Sequence, residues 1–144
     1  MARATRTILE FDKDSVPLFE KLRKALRGEK GDLSNKEAFL IAVSWGVRFD
    51  VRPDSIKKSG TGARVEYFSE SDTALLAAAH FAFTKSPESL LDINEIHASA
   101  ELFADGGIRL LAEEMAKPGN FPDSFAASVF DVVAGMGPVP EKEG

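Results

Sequence analysis

Apolar positions recur along the chain with two periods, and the switches between them mark out its elements. "RTILEF" (Arg6–Phe11) alternates and carries β-branched residues, which predicts a short strand. The spacing then becomes helical in "DKDSVPLFEKLRKALRG", where Leu18, Leu22, Ala25 and Leu26 make a stripe. Ser15 is the candidate N-cap, Pro17 sits in the first turn and Gly28 supplies the stop. After a polar loop (Gly28–Asp32), Ser34 and Glu37 form a capping box that opens "AFLIAVSWGVRF", a helix apolar almost all round and so expected to be central.

Asp50–Gly62 is rich in turn formers and reads as irregular. "ARVEYF" (Ala63–Phe68) alternates as a second short strand or an extended arm. "SESD" is another capping-type start, and the alanine-rich run Asp72–Thr84 predicts a second buried helix. A link over Lys85–Asp92 leads to a long helix from Asp92 to Lys117. "PGNFPD" breaks the chain before a last amphipathic helix from Asp123 to Ala134, carrying Phe125, Val129, Phe130 and Val133. The pattern predicts a mainly α protein: one compact domain over residues 1–136, of about five helices and one to three short strands, with a flexible tail at 137–144.

Inside the long helix stand two adjacent glycines, Gly106 and Gly107, each costing about 1 kcal/mol against alanine in a helix interior. On a helical wheel Ile93, Ile96, Ala100, Phe103, Ala104, Ile108, Leu111 and Met115 share one arc, and its phase runs unbroken across the pair. That continuity predicts a single helix in which Gly107, in the middle of the arc, lets another element approach. A C-cap at Gly106 followed by a new helix is the competing reading.

Composition narrows the function classes. The 144 residues include no cysteine, which excludes a disulfide scaffold, zinc ribbons and thiol catalysis, and fits a cytoplasmic site of action. "MARATRTILEF" lacks the apolar core of a signal peptide, and the most apolar run, "TALLAAAHFAF", is too short to span a bilayer, so no membrane role is expected. The net charge of −5 hides an asymmetry. Residues 1–64 hold 14 Lys+Arg against 9 Asp+Glu, a surplus of +5, and residues 65–144 hold 4 against 14, a deficit of −10. A basic first part suits a polyanion and an acidic second part suits a basic partner, though one domain could simply solvate its two sides this way.

Candidate chemistry is sparse. His80 and His97 are isolated within helices, without an HExxH spacing, and no GxSxG elbow is present. The carboxylates Glu95, Glu101, Glu113 and Glu114 read as a solvated helix face. No catalytic residue, metal ligand or cofactor is expected, and the chain reads as a non-enzyme. "KKSGTGAR" (Lys57–Arg64) is more suggestive: free backbone N–H groups beside Lys57, Lys58 and Arg64 could meet a phosphate, although it is no P-loop. Candidate nucleic-acid contacts are therefore Arg3, Arg6, Lys21, Lys24, Arg27, Lys57, Lys58 and Arg64. The order strand, helix, capped helix also matches a ribbon-helix-helix regulator, against which stands Glu10 on the outward side of the strand.

The stretches "FLIAVSWGVRFDVRPDSIKK", "VEYFSESDTALLAAAHFAF" and "LLDINEIHASAELFADGGIRLLAEEM" together resemble the Dnd-system-associated protein four family. Those small bacterial and archaeal proteins are encoded beside DNA phosphorothioation and related defence genes. The family's Glu-x-(Tyr/Phe)-Ala-(Asn/Asp)-Gly-Gly-(Leu/Ile) motif is matched by Glu101, Phe103, Ala104, Asp105, Gly106, Gly107 and Ile108. The resemblance covers residues 35–117 and leaves out the N-terminal strand and the helix after Asn120. It implies a place beside DNA modification and restriction, with DNA or another defence protein as partner, and transfers no catalytic residue. A protein-interaction or homo-oligomerisation module without DNA contact is the rival reading.

Overall fold

Strand β1 (Ile8–Asp12) turns Leu9 and Phe11 into the core, as the alternation predicts. The structure, a computed structural model, describes residues 5–26 and 31–135, with side chains as far as 129. β1 pairs antiparallel with β2 (Lys58–Arg64), Ile8 opposite Arg64 and Glu10 opposite Gly62, and the register shifts between Glu10 and Asp12. That irregularity turns the Asp12 side chain inward, where it accepts N–H groups from Lys57 (2.8 Å) and Asp14 (2.9 Å).

The second strand corrects the sequence reading. The pattern predicts a strand or extended arm over Ala63–Phe68 and irregular chain over Asp50–Gly62. In the structure Val65–Tyr67 is a 3-10 turn, and the strand lies earlier. Lys58–Gly62 has no apolar alternation to announce it, so its extended form comes from pairing with β1. β1 thus pairs within its own chain, whereas a ribbon-helix-helix dimer pairs that strand between copies.

Helix α1 (Val16–Ala25) follows a 3-10 turn at Lys13–Ser15. It buries Phe19 and Leu22, and Leu18, Ala25 and Leu26 are only half-covered. The expected stripe is rotated because Phe19 stacks on Phe11, ring centres 3.8 Å apart and planes 7° from parallel. The predicted stop at Gly28, the loop from it and the tail at 137–144 lie, wholly or largely, outside the described residues.

Helix α2 (Asn35–Arg48) carries the predicted Ser34–Glu37 capping box and buries Ala38, Phe39, Ala42, Val43 and Gly46. Helix α3 (Glu70–Thr84) opens with a second reciprocal box, Ser69 with Asp72. It is not the buried helix that its composition predicts. Leu76, Ala79 and His80 are covered, whereas Leu75, Phe81 and Phe83 are 40–48% exposed. An apolar surface all round lets a helix be central but does not supply elements to surround it.

Helix α4 (Ile93–Ala116) runs without interruption through Gly106 and Gly107. α1, α2, α3, β1 and α5 all pack on it, so it is the axis of the fold. The predicted arc is the buried face: Ile96, Ala100, Phe103, Ala104, Ile108 and Leu111 are each at most 3% exposed. A Cβ on Gly107 would overlap the Ala42 carbonyl, one on Gly106 the Val51 carbonyl, and one on Gly46 the Phe103 carbonyl. Glycines on both helices thus bring the α2 and α4 backbones together. Helix α5 (Phe121–Gly135) begins two residues before the predicted Asp123 and lays Phe125 against Trp45, ring centres 5.1 Å apart. The result is five α-helices and one two-stranded sheet among the described residues, the mainly α class that the periodicity predicts. No described helix is long and apolar enough to cross a membrane.

Candidate nucleic-acid interface

One polar row on α4 decides which charges remain for a ligand. Glu101, Asp105 and Arg109, spaced four apart, form a row beside the apolar arc and face β1 and the turn after it. Glu101 accepts the Arg6 Nε–H (3.2 Å) and the Glu10 backbone N–H (2.7 Å). Asp105 accepts the Ser15 hydroxyl (2.5 Å) and the Arg109 Nε–H (2.9 Å), and Arg109 also reaches Asp12 (3.3 Å). Glu101 is 6% exposed, which corrects the expectation of a solvated carboxylate, and burial pushes its pKa up despite the Arg6 charge. Every oxygen of Glu101 and Asp105 receives a donor, so this row secures the sheet to the helix.

The eight predicted nucleic-acid contacts separate accordingly. Arg3 and Arg27 lie outside the described residues. Arg6 is spent on Glu101. Lys57 stands 3.4 Å from Asp14 and Arg64 2.6 Å from Glu66, both pairs well exposed. Lys21, Lys24 and Lys58 are exposed and make no ion pair among the described residues. The anion loop proper is already occupied: Glu10, expected to repel phosphate, accepts the Gly60 N–H at 2.7 Å.

One of the predicted residues, Arg64, instead joins a cleft that the sequence did not assemble. Arg23 of α1, Lys36 at the start of α2 and Arg64 at the end of β2 line an open cavity of about 310 Å³. Ser34, Asn35, Gly62 and Tyr67 complete it, and Tyr67 is 64% exposed. Here α2 begins; Ser34 Oγ already accepts the Glu37 N–H and the Glu37 carboxylate accepts the Ser34 N–H, which leaves the Asn35 and Lys36 N–H groups as the donors open to an anion. Arg23 is fixed by donating to the Leu33 carbonyl (2.6 Å) and to Glu20 (2.7 Å), and Lys36 bonds Asp72 (3.0 Å). Arg64 and Glu66 form an exposed pair of the kind worth little net energy, so a phosphate can replace the carboxylate. Arg23 and Lys36 were missed because their convergence depends on three elements meeting, although the capping box did mark where α2 starts.

The histidines do not converge. His80 stands 4.0 Å from Glu95 and is buried, with neither ring nitrogen hydrogen-bonded. His97 is buried near Arg6. Burial pushes both pKa values down; Glu95 opposes the shift at His80, and Arg6 adds to it at His97. No group of three or more His, Asp or Glu among the described residues is placed to hold a metal ion. Comparison with protein-family models, with curated proteins and with solved structures finds no match to this chain.

Proposed function

We propose that the protein is a non-enzymatic accessory factor of a DNA-modification-linked defence system that contacts nucleic acid through the cleft at the start of α2. The observation that carries this reading is the meeting of Arg23, Lys36 and Arg64 around a helix N-terminus, with an exposed tyrosine at the rim. Arg64, whose exposed partner Glu66 a phosphate can replace, is the cation open to phosphate, and Arg23 and Lys36 stay paired with Glu20 and Asp72 beside it. The aromatic face of Tyr67 suits an unstacked base. Exposed Lys21 and Lys24 share α1 with Arg23 and add to the positive field, whereas Lys58 lies at the other end of β2 from Arg64. The link to defence rests on the resemblance of residues 35–117, and on that reading the protein acts in the cytoplasm, where the DNA lies. The acidic residues 65–144 then suit a basic protein of the same system.

The test is fluorescence anisotropy with labelled single-stranded and duplex DNA between about 50 and 200 mM salt. Binding should weaken steeply with salt, and Arg64→Gln should weaken it and flatten the slope. Tyr67→Ala should reduce single-strand affinity, by an amount equivalent to about 1–3 kcal/mol if one base stacks there, while Tyr67→Phe retains it. No binding at the lowest salt would overturn the proposal.

A further inference from the structure

The outer face of α3 is an apolar stripe that no described residue covers. Ala74, Leu75, Ala78, Phe81 and Ala82 recur at helical spacing and are all exposed, Leu75 and Phe81 by about two-fifths of their surface. Beside the stripe an apolar groove of about 450 Å³ runs between α2 and α3, walled by Val43, Val47, Leu75 and Ala78. A contiguous exposed surface of this kind on one helix marks an interaction site.

The charges around the stripe identify the occupant. α2 and α3 run side by side in the same sense: Lys36 bonds Asp72 near their starts, and Val47, Ala82 and Phe83 line one cavity near their ends. The stripe therefore has an acidic end at Glu70 and a basic end, where Lys85 after α3 and Arg48 at the groove outnumber Asp50, which lines the same cavity as Lys85. Glu70, Lys85 and Arg48 make no ion pair among the described residues. A two-fold interface needs a surface complementary to itself, and this one is, when a second α3 lies antiparallel. With Ala78 on the axis, Ala74 faces Ala82, and each Lys85 comes to the Glu70 end of the other helix. The three alanines, four residues apart, leave room for the two backbones to approach.

We infer that α3 is a homodimer interface, in which two copies pair antiparallel through this stripe and exchange Glu70–Lys85 contacts at both ends. The inference does not rest on the nucleic-acid cleft, although Lys36 of that cleft pairs with Asp72, two residues from Glu70.

The test is sedimentation velocity on the full chain over a wide concentration range. The unaltered protein should pass from monomer to dimer. Ala78→Glu, at an exposed position, should stay monomeric at every concentration with unchanged circular dichroism and unfolding midpoint. Glu70→Lys and Lys85→Glu should each weaken association roughly tenfold, because each puts like charges together at both ends, and the double reversal should restore it. A chain that remains monomeric throughout would overturn the inference and indicate a different partner for α3. So would a dimer indifferent to Ala78→Glu, or singles that the double variant does not rescue.

Discussion

Gly107 on α4 lies so close to Ala42 on α2 that a Cβ added to the glycine would overlap the Ala42 carbonyl oxygen. That atom belongs to the backbone of a neighbouring helix and cannot swing aside as a side-chain end could. Gly107→Ala is therefore expected to lose on the order of 3–5 kcal/mol by urea unfolding, although alanine is the better helix former. An unchanged midpoint would show that the helices are free to separate at this crossing.

Ser15 and Asp105 are joined by a buried 2.5 Å hydrogen bond between parts of the chain 90 residues apart. Asp105→Ala removes the acceptor of a fully buried hydroxyl and also one partner of Arg109. A loss of about 2–4 kcal/mol is expected. Adding Ser15→Ala removes the orphaned hydroxyl, so the double variant should be less destabilised than the two single losses added together. Strict additivity in a double-mutant cycle would mean that the two groups do not act on each other.

Acid should weaken the protein through its histidines. His80 and His97 have pKa values below the ordinary 6.5 in the folded state, so the unfolded chain binds more protons once pH falls into that range. Their contribution is present above about pH 6.5 and is lost as pH falls through the folded values. Glu101, raised by burial, works in the opposite sense: its contribution is present below its unfolded value and is lost as pH rises through the folded one. The urea midpoint should thus drop between about pH 7.5 and 5.5, and His80→Gln with His97→Gln should flatten the drop. The same decline in that double variant would place the sensitivity on other groups.

The legible part of this molecule is the part written within one helical turn. Ser34 with Glu37 and Ser69 with Asp72 announce two helix starts because each box closes over three residues. The arc from Ile93 to Met115 keeps its phase across Gly106 and Gly107, and that alone makes α4 one helix with a glycine on its packed side. Which element approaches that glycine is a matter of tertiary packing.

Tertiary structure also decided everything that depends on distant partners. Lys58–Gly62 is a strand because β1 lies beside it. Arg6 is unavailable to a ligand because Glu101, 95 residues on, holds it. Arg23, Lys36 and Arg64 share a cleft because a helix, a helix start and a strand end meet there. The apolar residues of α3 determined by themselves that it would be a helix able to bury any face. Which face stayed open was settled by where α2 and α4 ran out of surface to cover it, since burial depends on neighbours and not on composition.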